Sequence, residues 1–397
     1  MKKCQVGPET IRMLELGHPW VISDRYTKQW PSGEAGDLVA LVDEKNHHLA
    51  TALYDPKDRI VARILDRDKI QITVAWLEKK LFEAKRLRQH AQLDETNAYR
   101  WLNSEGDGLP GVTLDCYGDY LMLQLYTSAW DVHIDLLTTA VQRVFQPKGI
   151  YRKLRPQETR SLEAKKRSKE YSCLIAGASA PVPLHVKENG LSYQVDLREG
   201  LNTGLFPDQR RNRQEVAARV AGKRVLNLFA FTGAFSVAAA AAGAQKVTSV
   251  DVSAKYLNVA QENFSINRIN PKRHEFIVSD VFTALAKMHT QKRRFDLILF
   301  DPPSFSTTSK SRFSTQGGTS KLVSATLPLL ESGGLLISSS NHQKVSMDDY
   351  MKELRRGALQ SEAELKTIFT SGQPEDFPCS VSFPEGRYLK FVISMKN

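Results

Sequence analysis

The stretch from Arg224 to Asp251, RVLNLFAFTGAFSVAAAAAGAQKVTSVD, constrains the fold more than any other part of the chain. Val225 to Phe229 is a short apolar run, Thr232-Gly233 breaks it, and Ala234 to Ala242 is Ala-rich with bulkier Phe235 and Val237. This pattern predicts a buried strand, a tight loop and a buried helix. Gly243 stops the helix, Val247 to Val250 is β-branched enough for a second parallel strand, and Asp251 stands at its carboxyl end. An open α/β sheet takes its ligands at that end of the strands.

An acid at this place accepts both ribose hydroxyls of an adenosine-containing ligand, and Gly233 lets the backbone approach the ligand without a Cβ in the way. A dinucleotide dehydrogenase carries three glycines in G-x-G-x-x-G to seat a pyrophosphate. Only Gly233 is present, which disfavours a nucleotide-dependent oxidoreductase. S-adenosylmethionine has no phosphate and needs no such cradle. One glycine and one downstream acid also suit an ordinary βαβ unit, so a second landmark is needed.

Phe295 to Phe300, FDLILF, supplies it: a fully apolar strand capped by Asp301-Pro302-Pro303-Ser304-Phe305. Two prolines fix a rigid turn at the strand tip. Asp301 and nearby carbonyls can accept hydrogen bonds from the amino group of a base, and Phe305 can stack on a base turned out of its helix. Between the landmarks, His274 to Val278 reads as a strand ending at Asp280, which suits either the adenine edge of a ligand or the cap of the next helix. Transfer of a methyl group from a sulfonium is an in-line displacement in which positioning is most of the catalysis. His342, in the segment at the end of the next strand, reads as a strand-end histidine more readily than as a general base.

The rest of the chain sets the context. Its 397 residues suggest two or three domains, and an excess of 55 Lys and Arg over 44 Asp and Glu favours a polyanionic partner. Cys4, Cys116, Cys173 and Cys379 are far apart and form no C-x-x-C pair, so neither a metal site nor a disulfide framework is expected. A polar N-terminus and the lack of a run of about 18 apolar residues argue against export and membrane spanning, and a reducing cytoplasm fits best. From Val6 to about Asp68 the text is short strands and turns suggesting a small β-barrel, with Gly17-His18-Pro19-Trp20 as its conspicuous tetrapeptide. His18 reads as a turn residue, and Trp20 packs the barrel or stacks on a base. Ile72 to about Ala91 is helical in pattern, and strands follow at Tyr99 to Leu102, Val112 to Cys116, Tyr120 to Tyr126 and Gly149 to Leu154, with a helix over Val132 to Phe145. Arg152, Lys153, Arg155 and the run around Lys165, Lys166 and Arg167 form the densest charge, suited to an RNA backbone or to a solvated loop. Val186 to Val195 is a hairpin with an Asn189-Gly190 turn, marking a boundary near residue 184.

Taken together these pieces resemble the bacterial large-subunit ribosomal RNA methyltransferases of the RlmI/RlmK type along essentially the whole chain. The matching segments are Gly17 to Trp20, Gly106-Asp107-Gly108-Leu109-Pro110-Gly111, Asp208-Gln209-Arg210, Asn227-Leu228-Phe229 with Thr232-Gly233, Asp251, Asp280 and Asp301-Pro302-Pro303. The resemblance implies an α/β chain with a PUA-like RNA-binding domain over residues 1–72, a small α/β middle domain over 73–184 and a class I methyltransferase domain over 185–397. It implies S-adenosylmethionine as cofactor, held by Asn227, Phe229, Phe231, Thr232, Gly233, Asp251, Asp280 and Asp301, with Gln209 and Arg210 closing over it. Ribosomal RNA as partner, no metal and pairing of two copies go with it.

One departure bears on the chemistry. Family members that methylate carbon 5 of cytosine carry a Cys in a Ser-Cys-Ser segment after the fifth strand, because that carbon is not nucleophilic until a thiolate adds to the ring. Here the segment is Ser338-Ser339-Ser340-Asn341-His342. Its Ser-Asn pair, like Asp301 to Ser306, is similar to the guanine-modifying branch, so a nitrogen acceptor is expected over cytosine carbon 5, with Asn341 beside the reacting base. The three-domain layout belongs to the cytosine branch and keeps that alternative open. A non-catalytic RNA-binding assembly factor is the third.

Overall fold

The computed structural model describes residues 1–153, 172–199, 202–303, 305–307 and 312–397, with the backbone alone for 305–307 and 312–317. Arg155, Lys165, Lys166 and Arg167 therefore lie outside the described residues, as does the side chain of Phe305.

The first sheet holds β1 (Lys2–Gln5), β2 (Trp20–Ile22), β3 (Leu38–Val42), β4 (His48–Tyr54) and β5 (Ile60–Asp66) in the order β1-β3-β4-β5-β2. A helix, α1 (Pro8–Glu15), joins its two edge strands. Sequence patterning gives neither β1 nor α1. The helix starts on a proline and buries only Leu14, so no apolar stripe announces it.

The second sheet runs β10-β9-β8-β7-β6, from β6 (Ala98–Asn103), β7 (Val112–Tyr117), β8 (Tyr120–Leu125), β9 (Gly149–Lys153) and β10 (Ser172–Gly177). Helices α2 (Val74–Leu87) and α3 (Ile134–Phe145) pack Leu77, Leu81, Leu137 and Val141 against Leu114, Leu123 and the fully buried Trp130. A hairpin of β11 (Leu184–Glu188) and β12 (Leu191–Val195) turns at Asn189 and Gly190, with φ of 50° and 78°, the left-handed pair that a two-residue hairpin loop demands. Its Val186 and Tyr193 pack with Tyr117 and Tyr151 of the second sheet and with Val237 and Phe264 of the domain that follows.

That domain is a seven-stranded sheet of β13 (Arg224–Leu228), β14 (Lys246–Asp251), β15 (Glu275–Val278), β16 (Phe295–Phe300), β19 (Leu330–Ser340), β20 (Leu365–Ser371) and β21 (Lys390–Lys396). A short hairpin, β17 (Phe305–Thr307) with β18 (Arg312–Ser314), follows β16. Counted within the sheet, the order is 3-2-1-4-5-7-6, with β21 antiparallel to both neighbours. Helices α4 (Arg210–Ala217), α5 (Ala234–Ala241) and α6 (Ala254–Ile266) precede or join the first strands, and α7 (Val281–Thr290), α8 (Thr315–Thr326) and α9 (Met347–Gln360) join the later ones. Leu226, Leu228, Ile298 and Phe300 face one core, and Val225, Leu297 and Leu299 the other. Burial on both faces is why these strands read as unbroken apolar runs.

Register places the chemistry. Leu228 pairs with Val250 on one side and Phe300 on the other, so the next residues, Phe229, Asp251 and Asp301, emerge level at one edge. Val278 pairs with Asp251, which brings Asp280 to the same edge, and Phe300 pairs with Ser338, which sets Ser339 beside Asp301.

Candidate active site

At this edge lies a cavity of about 380 Å³. Asp251, Asp280 and Asp301 all line it, with Phe229 and Phe231 of the loop after β13, Gln209, Pro302, Pro303 and Asn341. Phe229 and Phe231 have φ of 59° and 52°, a left-handed backbone that is costly for an aromatic residue. Asp251 holds part of that loop in place: its Oδ2 accepts from the Phe231 N–H at 2.9 Å, while Oδ1 accepts from Ser253 N–H at 2.9 Å. Tyr256 meets Phe231 edge-on at 4.4 Å, and Phe206 lies 5.4 Å from it on centroids, giving the cavity an aromatic wall. Asp280 also caps α7, accepting from Thr283 N–H at 3.1 Å, so it lines the cavity and caps the helix at once.

Asp301 sits in a buried polar network. Gln209 Nε2 donates to Asp301 Oδ2 at 3.0 Å and to Ser339 Oγ at 2.8 Å, and Gln209 Oε1 accepts from Asn212 Nδ2 at 2.6 Å. Burial, helped by the charge of Asp208, pushes the Asp301 carboxyl up to about 6, against the opposing hydrogen bonds from Ser339 and Gln209. Asp208 is raised too, chiefly by burial, and Tyr388 Oη donates to its Oδ2 at 2.7 Å. Four carboxylates and no lysine or arginine are found among the described residues lining this cavity. Such a wall suits a cation and repels a phosphate.

The remaining expected residues lie behind the cavity wall. Arg210 is fully buried and binds Asp376 at 2.7 Å instead of closing over the cavity. Asn227 Nδ2 donates to Ser236 Oγ at 2.9 Å, tying β13 to α5, and Thr232 Oγ1 donates to the Gly204 carbonyl. Gly233 has φ of 77°, and a Cβ there would stand 2.7 Å from Ala260 Cβ, so close packing of α5 on α6 also demands glycine. His342 is not in the wall of this cavity; its carbonyl accepts from Lys390 Nζ at 2.6 Å. Sequence reading passes over Phe206, Tyr256 and Phe282 as cavity residues. Tyr256 carries the one local signal, an aromatic residue in the first turn of the helix after Asp251.

Of the residues expected to meet RNA, Trp20 packs edge-on against Phe383 at 4.6 Å and donates Nε1 to Glu105 at 2.8 Å, while Arg152 pairs with Asp131 at 2.6 Å. Lys153 is nearly buried, which lowers its ammonium to about 8. Trp20 and Lys153 share the wall of a second cavity beside the first. Among the described residues there is no cluster of three or more metal-ligating side chains, and no helix long and apolar enough to cross a membrane.

The chain matches the models of two families: S-adenosylmethionine-dependent methyltransferase over residues 152–381 and PUA-like domain over residues 5–67. It is 35% identical to a Bacillus subtilis protein carried under the name ribosomal RNA large subunit methyltransferase YwbD, over 97% of each chain. It is 33% identical to ribosomal RNA large subunit methyltransferase I of Yersinia pseudotuberculosis, over 94% of each. Among solved structures, one of a chain described as a methyltransferase complexed with SAH superposes with a TM-score of 0.89 at 31% identity, covering 100% of both chains.

Proposed function

Since the chain belongs to the S-adenosylmethionine-dependent methyltransferases that carry a PUA-like domain, we propose that it methylates a base of large-subunit ribosomal RNA, at a nitrogen and on guanine first. The names of its full-length relatives support the RNA, and so do the PUA-like domain and a net charge of +11.

The cavity fits the cofactor: carboxylates and aromatic rings surround a space to which the described residues bring no cation to receive a phosphate. When bound, S-adenosylmethionine supplies an electrophilic methyl group. In this reading Asp251 takes the ribose hydroxyls and Asp280 the adenine edge. Phe229 and Phe231 wall the site, while Asn227, Thr232, Gly233 and Arg210 hold the loop and helix behind it. Asp301, on the turn fixed by Pro302 and Pro303, orients the acceptor and takes the proton that a ring or exocyclic N–H sheds. With its carboxyl titrating at about 6, it is ionised yet basic enough for this at neutral pH. Asn341 and Phe305 complete the seat of the base.

One observation carries the choice of nitrogen. Ser339, level with Asp301, is fully buried, its hydroxyl accepts from Gln209, and no cysteine is among the described residues lining the cofactor cavity. Cys379 lines the second cavity, but its thiol donates to the Gly386 carbonyl at 3.1 Å and burial raises it further above the range of a ready thiolate. The full-length match to proteins named methyltransferase I favours the alternative, cytosine carbon 5, through the three-domain layout. Nucleoside mass analysis of ribosomal RNA from cells lacking the gene tests the choice. A missing methylguanosine supports nitrogen, and a missing 5-methylcytidine overturns it.

The same reading assigns residues 1–72 to RNA binding, 73–184 to the middle domain with its basic segment of Arg152, Lys153, Arg155, Lys165, Lys166 and Arg167, and 185–397 to catalysis. It places a pair of identical chains in the cytoplasm, which light scattering of the purified protein and cell fractionation check.

A further inference from the structure

The cavity edge of the seven-stranded sheet carries carboxylates, so it offers a polyanion no grip of its own. The opposite edge, where the parallel strands begin, has the matching charge. Strands β13, β14 and β16 are five or six residues long, which sets the two edges roughly 17–20 Å apart. Register aligns the cations there. Arg224 pairs with Lys246, and Thr248 with Glu275, so Lys246 stands level with Arg273. The Val247 N–H donates to His274 Nδ1 at 3.1 Å, in keeping with that alignment. Lys272 and Lys223 lie one residue further out, and Lys292, Arg293 and Arg294 lead into β16 beside them. Eight cations thus crowd the starts of four neighbouring strands. Strand spacing makes that a band about 15 Å across.

The carboxylates within reach are already taken. Arg293 binds Glu275 at 2.5 Å, and Arg224 binds Asp296 at 2.7 Å and Glu331 at 3.0 Å. Lys272, Arg273 and Lys292 are exposed, and among the described residues their side chains form no hydrogen bond or ion pair. Neighbouring groups feel the excess. Burial, then the charges of Lys246 and Arg273, push the His274 ring below the usual histidine value, and burial with Arg294 lowers Lys396. Crowded like charges repel one another, so the band does nothing for the fold that a neutral surface would not do better. No exposed large apolar side chain stands among these strand starts. A protein interface is anchored by buried aromatic or apolar side chains and a membrane-surface segment by an apolar face, whereas binding to a phosphate backbone needs cations alone.

We infer that this band is a second RNA-binding surface, on which Lys272, Arg273, Lys292 and their neighbours hold the phosphate backbone of a ribosomal RNA segment distinct from the one entering the catalytic edge. The inference rests on the RNA reading above. Folded ribosomal RNA packs helices side by side, so a segment some 20 Å from the target base reaches the far end of the sheet. The catalytic domain then contributes affinity of its own, independent of the PUA-like domain, and that affinity carries no sequence information.

The test uses the full chain and protein-free large-subunit RNA from cells lacking the gene, with binding measured over a range of salt concentrations. The triple variant Lys272→Gln, Arg273→Gln, Lys292→Gln removes three side chains that bond nothing described, so its melting temperature should hold or rise. Its affinity for RNA should fall at least tenfold, and the slope of log affinity against log salt should flatten by about two to three. Affinity for S-adenosylhomocysteine should stay within twofold. A control variant, Lys352→Gln, Arg355→Gln, Arg356→Gln on α9, loses the same charge and should weaken RNA binding less than threefold. If the triple variant fails to fold, Arg273→Gln and Lys292→Gln singly should each flatten the slope by about one. An unchanged slope, or equal losses in the band and control variants, overturns the inference and leaves the RNA reading standing. Weaker binding to ribosomal particles with unchanged binding to protein-free RNA also overturns it, since the band would then meet a protein. No binding of RNA by wild type overturns the RNA reading, and this inference with it.

Discussion

Gln209 Nε2 stands 3.0 Å from Asp301 Oδ2, and its amide cannot turn over without also losing its bonds to Ser339 and Asn212. The side chain thus holds the carboxylate at the strand tip in one orientation. Replacing Gln209 by Leu removes a hydrogen bond to a charged group, worth roughly 1.5–3 kcal/mol. The expected result is a kcat lower by about tenfold to hundredfold, with affinity for S-adenosylhomocysteine changed less than threefold. Steady-state kinetics beside calorimetry read both numbers, and a kcat within twofold of wild type would contradict this role.

In the proposed mechanism Asp301 makes rate as well as stability depend on pH. Its folded value of about 6 lies above the usual 3.8, because burial opposes the charge. Between about pH 4 and 6 the folded chain keeps a proton that the unfolded chain has lost, so stability falls as pH rises across that window, by roughly 2–3 kcal/mol. Asp301→Asn should therefore be more stable than wild type at pH 7.5 and no more stable near pH 4, as urea titrations at the two pH values would show. In wild type, kcat should climb through pH 6 to a plateau. Gln209→Leu should move that limb to higher pH, because the bond it removes favours the ionised form.

How far the site could be read from sequence follows from where its information lies. FDLILF and Val225 to Phe229 announce themselves because strands buried on both faces are unbroken apolar runs, and the acid straight after FDLILF, Asp301, is visible in the text. The Asn189-Gly190 turn is legible because two successive left-handed residues demand such a pair. Arg210 is different: its partner Asp376 is 166 positions away, and nothing local marks the arginine as internal. Tyr388, which binds Asp208 from 180 positions off, is hidden for the same reason. The edge strand β20 is not marked in the sequence, because much of it is exposed, Ile368 to 51%, and its alternation is too weak to stand out.

Glu188, at the end of β11, forms a two-pronged pair with Arg213 of α4, at 2.6 Å on each prong, and both side chains are nearly buried. Arg213 Nη2 also donates to the Phe206 carbonyl at 2.7 Å, so the pair anchors an aromatic wall of the cofactor cavity. Removing one partner strands a buried charge, at about 3–5 kcal/mol. Glu188→Leu should lose stability on that scale in chemical denaturation. Affinity for S-adenosylhomocysteine should also weaken as Phe206 loosens; full affinity in a clearly destabilised variant would separate the pair from the site.

The segment around Asp376 to Pro378 is clamped between the middle and C-terminal domains. One oxygen of Asp376 accepts from Arg210 at 2.7 Å and the other from the Arg100 N–H at 2.8 Å, while Asn103 Nδ2 donates to the Pro378 carbonyl at 2.9 Å. Gly106 faces that same carbonyl so closely that a Cβ would stand 1.9 Å from it. Both atoms belong to backbone, so a methyl group fits only if the domains part. Gly106→Ala is thus an overpacking change at a site with no soft neighbour, costing about 1–3 kcal/mol or more. It should lower the melting temperature by several degrees. An unshifted melting temperature would mean that the two backbones are not held together as tightly as their geometry requires.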